Sequence, residues 1–133
     1  MYVKWDESYS NGIELFDNQH KGLFKLINDL HEGIRQKKNR EALGTALVEL
    51  MDYTKTHFAD EENAMRLTGY PAYEVHKAAH VAFITQVADI RNRYLEGEPV
   101  MTMELVGLLL NWLKNHIQTV DRAYGPHLKA AGA

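Results

Sequence analysis

Histidines paired at helical spacing are the feature of this sequence best suited to chemistry. The chain has seven histidines and no cysteine in 133 residues. His57 and Glu61 are four positions apart, and so are His76 and His80. Residues at i and i+4 lie one above the other on an α-helix, so each pair could hold a metal ion from a single helix. Without thiols, such an ion would be bound by imidazole nitrogens and carboxylate oxygens.

The segments that carry these residues predict four amphipathic helices. Apolar residues recur at spacings of three and four, without strand-like alternation. The predicted helices cover about residues 18–36, 40–65, 71–95 and 102–122. Three short connections between helices of similar length predict an all-α fold, an up-down-up-down antiparallel four-helix bundle.

Capping and breaking residues suggest where these helices begin and end. Asp17 and Asn39 are expected to cap the first two helices at their N-termini. Pro71 suits the start of the third helix, because its missing N–H would be unpaired there in any case. Gly125 and Pro126 are expected to lie beyond the end of the fourth helix.

The chain is expected to form one domain, residues 1–133, because its length suits one core and is too short for two. Residues 1–16 are predicted to form an N-terminal arm packed along the bundle. The reason is that Val3, Trp5, Ile13 and Leu15 make this segment too apolar for a free tail.

Charge and hydropathy limit the expected partners. A formal net charge of -3 gives no electrostatic reason to bind nucleic acid or an anionic membrane. No apolar run approaches the roughly 18 to 20 residues that span a bilayer, and the first residues lack the regions of a secretory signal. We therefore expect a cytoplasmic protein with no nucleic-acid partner and no membrane insertion.

Counting positions from each turn places the paired residues at a common height in the bundle. His20 lies 18 positions before a first turn near residue 38, and His57 lies 19 positions after it. His57 and Glu61 lie 11 and 7 positions before a second turn near residue 68. His76 and His80 lie 8 and 12 positions after that turn. Neighbouring helices are antiparallel, so these residues are expected to lie level with one another.

The fourth helix is expected to bring His116 and Asp121 to the same layer. Around a third turn near residue 98, these two residues lie 18 and 23 positions beyond the turn. Their spacing of five corresponds to about 140° around an ideal α-helix, which is a poor arrangement for shared binding. Asp121 is therefore expected to reach round, where the helix loosens towards its end.

Metal binding explains this layer better than ordinary burial. A lone inward histidine is usually hydrogen-bonded to backbone, and this interpretation suits His31 and His127, which lie outside the layer. Five inward histidines and two carboxylates at one height are different, because burying them without a strong partner would cost several kcal/mol.

The number of ligands indicates two metal ions. Seven ligands exceed the four of a typical zinc site. Carboxylates can bridge two ions while an imidazole normally binds one, so five histidines and two carboxylates can leave one coordination position open. Lys77 stands where the HExxH motif of zinc proteases has its glutamate, which excludes that class. Iron, copper, nickel and zinc all suit imidazole-rich sites, so ligand chemistry alone does not name the metal.

Four segments of the sequence resemble the hemerythrin family in its bacterial single-domain form, the bacteriohemerythrins. They are GIELFDNQHKGLFKLINDL, HFADEE, HKAAH and WLKNHIQTVDRAY, spread over nearly the whole chain. The resemblance implies a non-haem centre of two iron ions with an oxo or hydroxo bridge. It implies that one iron is held by His76, His80 and His116, the other by His20 and His57, and both by the bridging carboxylates Glu61 and Asp121.

The function implied by this resemblance is reversible dioxygen binding for carriage or storage, without a catalytic residue and without enzyme activity. Dioxygen would bind the five-coordinate iron held by His20 and His57, take two electrons from the iron pair and be held as hydroperoxide. Neutral imidazoles donate less negative charge than carboxylates, so binding dioxygen should be easier than cleaving it. Two alternatives stay open: an oxygen or redox sensor acting through a partner, and a di-iron oxidoreductase acting on iron, peroxide or nitric oxide. A protein that consumes the carried oxygen would be a further partner.

Six residues about one turn from the expected ligands could form an apolar pocket for dioxygen, and these are Phe24, Phe58, Phe83, Trp112, Leu113 and Ile117. Such a pocket would exclude water from the bound gas. The same residues are equally compatible with ordinary core packing.

Overall fold

The computed structural model describes residues 3–131, which form a four-helix bundle. The first three helices are α1 (Glu14–Arg35), α2 (Asn39–Leu67) and α3 (Tyr73–Leu95). The fourth rod is continuous and consists of α4 (Thr102–Trp112), a π-helix (Leu113–Asp121) and α5 (Arg122–Ala130). A short 3₁₀ turn, Glu7–Tyr9, lies in the N-terminal arm. The predicted fold class is confirmed.

Two apolar clusters hold the bundle together. The larger cluster is built from leucine, isoleucine, valine and phenylalanine side chains of all four rods, for example Leu23, Leu50, Val87 and Leu109, each fully buried. The smaller cluster contains Ile13, Phe16, Met65, Tyr124 and Leu128. Burial of apolar surface is the main favourable term in folding, so these clusters fix the relative positions of the rods.

The expected capping residues of the first two helices are wrong. Helix α1 begins at Glu14, several residues before the predicted start, and Ile13 occupies its N-cap position. Asp17 lies in the first turn, where its carboxylate accepts hydrogen bonds from the Asn11 N–H (3.0 Å) and the Ser10 hydroxyl (2.5 Å). Asp17 therefore ties the arm to α1. At α2 the N-cap position is Lys38 rather than the residue that follows it.

The ends of the third helix and of the fourth rod also differ from the prediction. Helix α3 begins at Tyr73, two residues after Pro71. The fourth rod continues through Gly125 and Pro126 to Ala130. Tyr124 and Leu128 are fully buried on either side of the Gly-Pro pair. Tertiary packing of this apolar face outweighs the low helix propensity of glycine and proline.

The N-terminal arm packs along the bundle, as predicted. The Val3 backbone exchanges two hydrogen bonds with the Asn28 side chain, at 2.8 and 2.9 Å. Trp5 and Tyr9 contact the edge of Phe24 on α1. Leu15 is an exception to the expected packing of this segment, because it lies on the outer face of α1 and is 55% exposed.

Over residues 3–131, none of the helices combines the length and the apolar character that crossing a bilayer requires.

Gly125 is required where the arm crosses the fourth rod. A Cβ atom at this position would lie 2.0 Å from the Asn11 carbonyl oxygen, which is backbone and cannot move aside cheaply. We expect Gly125→Ala to lower the free energy of unfolding by about 1–3 kcal/mol, as overpacked cores do. Urea unfolding of the metal-free protein measures this change.

Gly22→Ala is the matched control, because Gly22 is an exposed helical glycine with open space around its added Cβ. It should raise the free energy of unfolding by about 0.5–1 kcal/mol through its effect on backbone entropy. Equal effects of the two substitutions would contradict the proposed close approach of Asn11.

Candidate metal centre

The structure brings the seven predicted ligand residues together in one buried layer. Each of the four rods contributes, and each of the seven residues is at most 4% exposed. The contributors are His20 from α1, His57 and Glu61 from α2, His76 and His80 from α3, and His116 and Asp121 from the π-helix. The layer lies between the two apolar clusters, since Phe16 and Tyr124 of the smaller one and Phe58 and Trp112 of the larger one contact its histidines.

The layer contains two overlapping groups of possible metal ligands. In each group the ligand atoms lie within 4.8 Å of one another. The first group, called here the five-donor position, consists of Glu61, His76, His80, His116 and Asp121. The second group, the four-donor position, consists of His20, His57, Glu61 and Asp121. The two carboxylates belong to both groups, so the layer offers two adjacent positions with unequal numbers of protein ligands.

Asp121 extends across both positions. Its Oδ1 lies 2.8 Å from His76 Nε2 and 2.9 Å from His116 Nε2. Its Oδ2 lies 3.0 Å from His20 Nε2. One oxygen therefore faces the five-donor position and the other faces the four-donor position, as in a bridging carboxylate.

Glu61 also lies between the histidines of both positions. Its Oε1 is 3.3 Å from His57 Nε2 and 3.2 Å from His80 Nε2. Its Oε2 is 3.4 Å from His20 Nε2 and accepts a short hydrogen bond from the Tyr124 hydroxyl. Tyr124 thereby fixes the orientation of this carboxylate.

The π-helix explains how His116 and Asp121 can act together. Both residues lie within the segment Leu113–Asp121. A π-helix forms i→i+5 hydrogen bonds, so a residue five positions later returns close to the same face, whereas an α-helix would place it about 140° away. The expected loosening of the fourth helix is thus a change of helix type. Apolar periodicity contains no signal that distinguishes this segment from an α-helix.

Many nitrogen and oxygen atoms of the layer form no hydrogen bond with any described residue and are therefore available to bind metal ions. Within residues 3–131, eight buried polar atoms of the layer have no hydrogen-bond partner: Nδ1 and Nε2 of His20, Oε1 of Glu61, Nε2 of His76, His80 and His116, and both carboxylate oxygens of Asp121. Buried polar atoms without partners are rare and costly. Nitrogen and oxygen atoms that approach to about 3 Å without forming hydrogen bonds are arranged for shared cations.

The donors of the layer are imidazole nitrogens and carboxylate oxygens. Iron, copper, nickel and zinc accept such ligands.

Burial and charge set the protonation of the metal-free layer. Burial lowers the pKa of His20, but the close, negatively charged carboxylates of Asp121 and Glu61 outweigh burial and raise the pKa to about 9. For Asp121, burial and the charge of Glu61 act to raise the pKa. The close imidazoles of His116, His20 and His76 outweigh them and hold the pKa of this carboxyl well below its usual range. The metal-free layer therefore pairs anionic carboxylates with a protonated imidazole.

Further side chains orient the histidine ligands from outside the layer. The Nδ1–H of His57 donates to the Gln19 Oε1 at 2.5 Å, and the Gln19 amide donates to Asp60 at 2.8 Å. The Nδ1–H of His80 donates to the Glu62 carboxylate at 2.8 Å. Such partners fix the ring orientation and leave Nε2 free for a metal. The sequence analysis missed Gln19 and Glu62, because a polar residue next to a ligand has no distinguishing spacing.

The six residues of the predicted dioxygen pocket are all buried in the larger apolar cluster: Phe24, Phe58, Phe83, Trp112, Leu113 and Ile117. Phe58 stacks on His80 with ring centroids 3.8 Å apart, and Trp112 stacks on His116 at 3.7 Å. Phe24 instead contacts the arm through Trp5 and Tyr9. Their burial fits core packing, and the pocket stays a prediction.

Of the two histidines placed outside the layer, His127 contacts backbone as expected. Its Nε2 lies 2.9 Å from the Thr68 carbonyl oxygen. Near His57, the structure adds the rings of Phe16 and Tyr53, which the sequence analysis did not single out.

Comparisons of the sequence and of the structure with known proteins all give matches to hemerythrins. A family model described as the hemerythrin HHE cation binding domain matches residues 11–128. A bacteriohemerythrin of Pseudomonas aeruginosa PAO1 is 42% identical over 123 residues, covering 92% of this chain and 79% of that protein. A myohemerythrin of Sipunculus nudus is 32% identical, covering 90% of this chain and 88% of that protein. A crystal structure of wild-type hemerythrin superposes with a TM-score of 0.87 at 32% identity, covering 96% of this chain and 98% of that chain.

Metal loading is expected to release protons. With a pKa of about 9, His20 is protonated at pH 7 in the metal-free protein, and it must lose that proton to bind a metal. We expect about one proton or more to be released per loaded centre at pH 7, and fewer as the pH rises through 9. A pH indicator in weakly buffered solution measures the release during titration with cobalt(II). Loading without proton release at pH 7 would contradict this account of His20.

The orienting partners should act separately on the two positions. Gln19→Leu removes the partner of His57 and should weaken metal binding at the four-donor position by about 10–100-fold. Glu62→Leu removes the partner of His80 and should weaken the five-donor position by a similar factor. Metal content after dialysis against a chelator measures both effects. Gln36→Leu is the control, since the Gln36 side chain donates to the exposed Glu32 and belongs to neither group of ligands. Equal retention in all three variants would refute the assignment.

Proposed function

The chain belongs to the hemerythrin family, and from this premise we propose that it binds dioxygen reversibly, for carriage or storage, at a centre of two iron ions. One observation carries the proposal. Two groups of ligand atoms share two carboxylates, and one group has one protein ligand fewer than the other. This arrangement suits two bridged ions, of which one keeps a coordination position for a small molecule.

The proposed ligand assignment follows the two groups. The five-donor position would use His76, His80 and His116, and the four-donor position would use His20 and His57. The carboxylates of Glu61 and Asp121 would serve both ions, which is supported by the distances of their oxygens to histidines on both sides.

When bound, the iron pair would supply the two electrons that reversible dioxygen binding requires. The chain itself holds the imidazole rings and the carboxylates in place. Tyr124 orients Glu61, while Gln19 and Glu62 orient the rings of His57 and His80. Ligands held in this way need little reorganisation when a small molecule binds or leaves.

The apolar surroundings of the centre support storage rather than turnover. Phe58, Leu113 and Ile117 are at most 3% exposed and belong to the cluster that borders the layer. They limit the access of water, which protects a bound gas from side reactions. Five imidazoles against two carboxylates also supply little negative charge, so highly oxidised iron is poorly stabilised and the chemistry stops at binding.

Anaerobic loading with ferrous iron tests the proposal. We expect about two iron ions per chain, an absorption band upon exposure to oxygen, and loss of that band when argon removes the gas. A band that never forms, or never reverses, would overturn reversible binding. Continuous consumption of oxygen with an added reductant would instead indicate an oxidoreductase.

Two histidines of α1 provide a matched pair of variants for this experiment. His20→Gln removes a ligand of the four-donor position and should abolish the reversible band. His31→Gln, at a position outside both groups, should retain the band at wild-type intensity. A reversible band in the His20→Gln protein would contradict the assigned oxygen-binding side.

A further inference from the structure

Tyr53 lies beside the four-donor position and has no role in the ligand assignment above. It precedes His57 by one turn of α2, and the two rings stack with centroids 5.0 Å apart and an angle of 20° between their planes. Among residues 3–131, the four-donor position has two histidines, His20 and His57. The phenol ring is thus placed against the half of the centre that has fewer protein ligands.

The hydroxyl group of Tyr53 is buried and has no hydrogen-bond partner in the part of the chain that the structure describes. A phenol hydroxyl supplies one O–H donor. It is a hydrogen-bond donor without an acceptor, which is a rare and costly state in a protein interior.

A surface cleft reaches this same place. Its volume is about 360 Å³, and its lining residues come from α1 and α2: Gln19, Glu49, Asp52, Tyr53, Thr56 and His57. The cleft therefore leads from solvent to the stacked rings of Tyr53 and His57.

We propose that Tyr53 is a ligand-binding residue that donates a hydrogen bond to the small molecule held at the four-donor position. The class of ligand is dioxygen and small linear anions of similar size, all of which present an acceptor atom. The proposal rests on the proposed function for the existence of that open position. It explains why a phenol, rather than a phenylalanine, stacks on His57: the hydroxyl has an acceptor only when the ligand is bound.

Tyr53→Phe separates this role from packing, because it keeps the ring stacked on His57 and removes only the oxygen. Azide is the probe, and its dissociation constant for the iron-loaded ferric protein is measured by absorption titration. Loss of a hydrogen bond to an anion should weaken azide binding by about tenfold or more. Equilibrium affinity is the quantity to compare, since Glu49 and Asp52 in the cleft would slow the entry of an anion equally in both proteins.

A second measurement needs no metal. Removing a buried hydroxyl that lacks a partner should leave the metal-free protein as stable as the wild type, or more stable, in urea unfolding. Tyr94→Phe is the control for both measurements, because the Tyr94 hydroxyl lies near Arg40 at the other end of α2. It should leave azide affinity unchanged.

The outcomes are distinct. Weaker azide binding by Tyr53→Phe, together with undiminished stability of its metal-free form, supports the proposal. Unchanged azide affinity overturns it, and so does a loss of metal-free stability that would reveal a structural partner for the hydroxyl. A wild-type protein that binds azide but never binds oxygen reversibly would overturn the proposed function, while the comparison of azide affinities would still decide the role of Tyr53.

Discussion

The structure depends on one constraint, which is that seven polar side chains are buried in a single layer inside an apolar bundle. Burial of imidazoles and carboxylates is costly unless strong partners compensate it. The two carboxylates and five histidines neutralise one another only in part, since most of their inward atoms lack hydrogen bonds among the described residues. Bound cations would remove this cost. The two apolar clusters on either side limit the access of water to these atoms.

The fourth rod meets this constraint by changing from an α-helix to a π-helix. A regular α-helix cannot present both His116 and Asp121 to the centre, so the rod becomes a π-helix between Leu113 and Asp121. The N-terminal arm contacts this segment, with Gln118 donating to the Ser8 hydroxyl at 2.8 Å. The close approach of Asn11 to Gly125 continues the contact beyond the π-helix. The arm thus supports the part of the chain whose backbone departs most from regular geometry.

Sequence reasoning predicted the four helices, the common height of the seven residues of the layer, and the pairs spaced four positions apart on α2 and α3, because helical periodicity is a local property. It failed where tertiary contacts decide the backbone. Asp17 looks like a cap but binds the arm, and Gly125 and Pro126 look like a helix end but lie between buried side chains. The neighbours Gln19 and Glu62 act through contacts between helices, and a single sequence contains no pattern that identifies such contacts.

Asp121 has a consequence for how long the centre keeps its metal. The same carboxylate belongs to both positions, and it lies on the last rod of the bundle. Movement of that rod away from the other three would open both positions at once. If the two proposed ions are bound, they would then be released together, and the rate of release would depend on how often this rod detaches from the bundle.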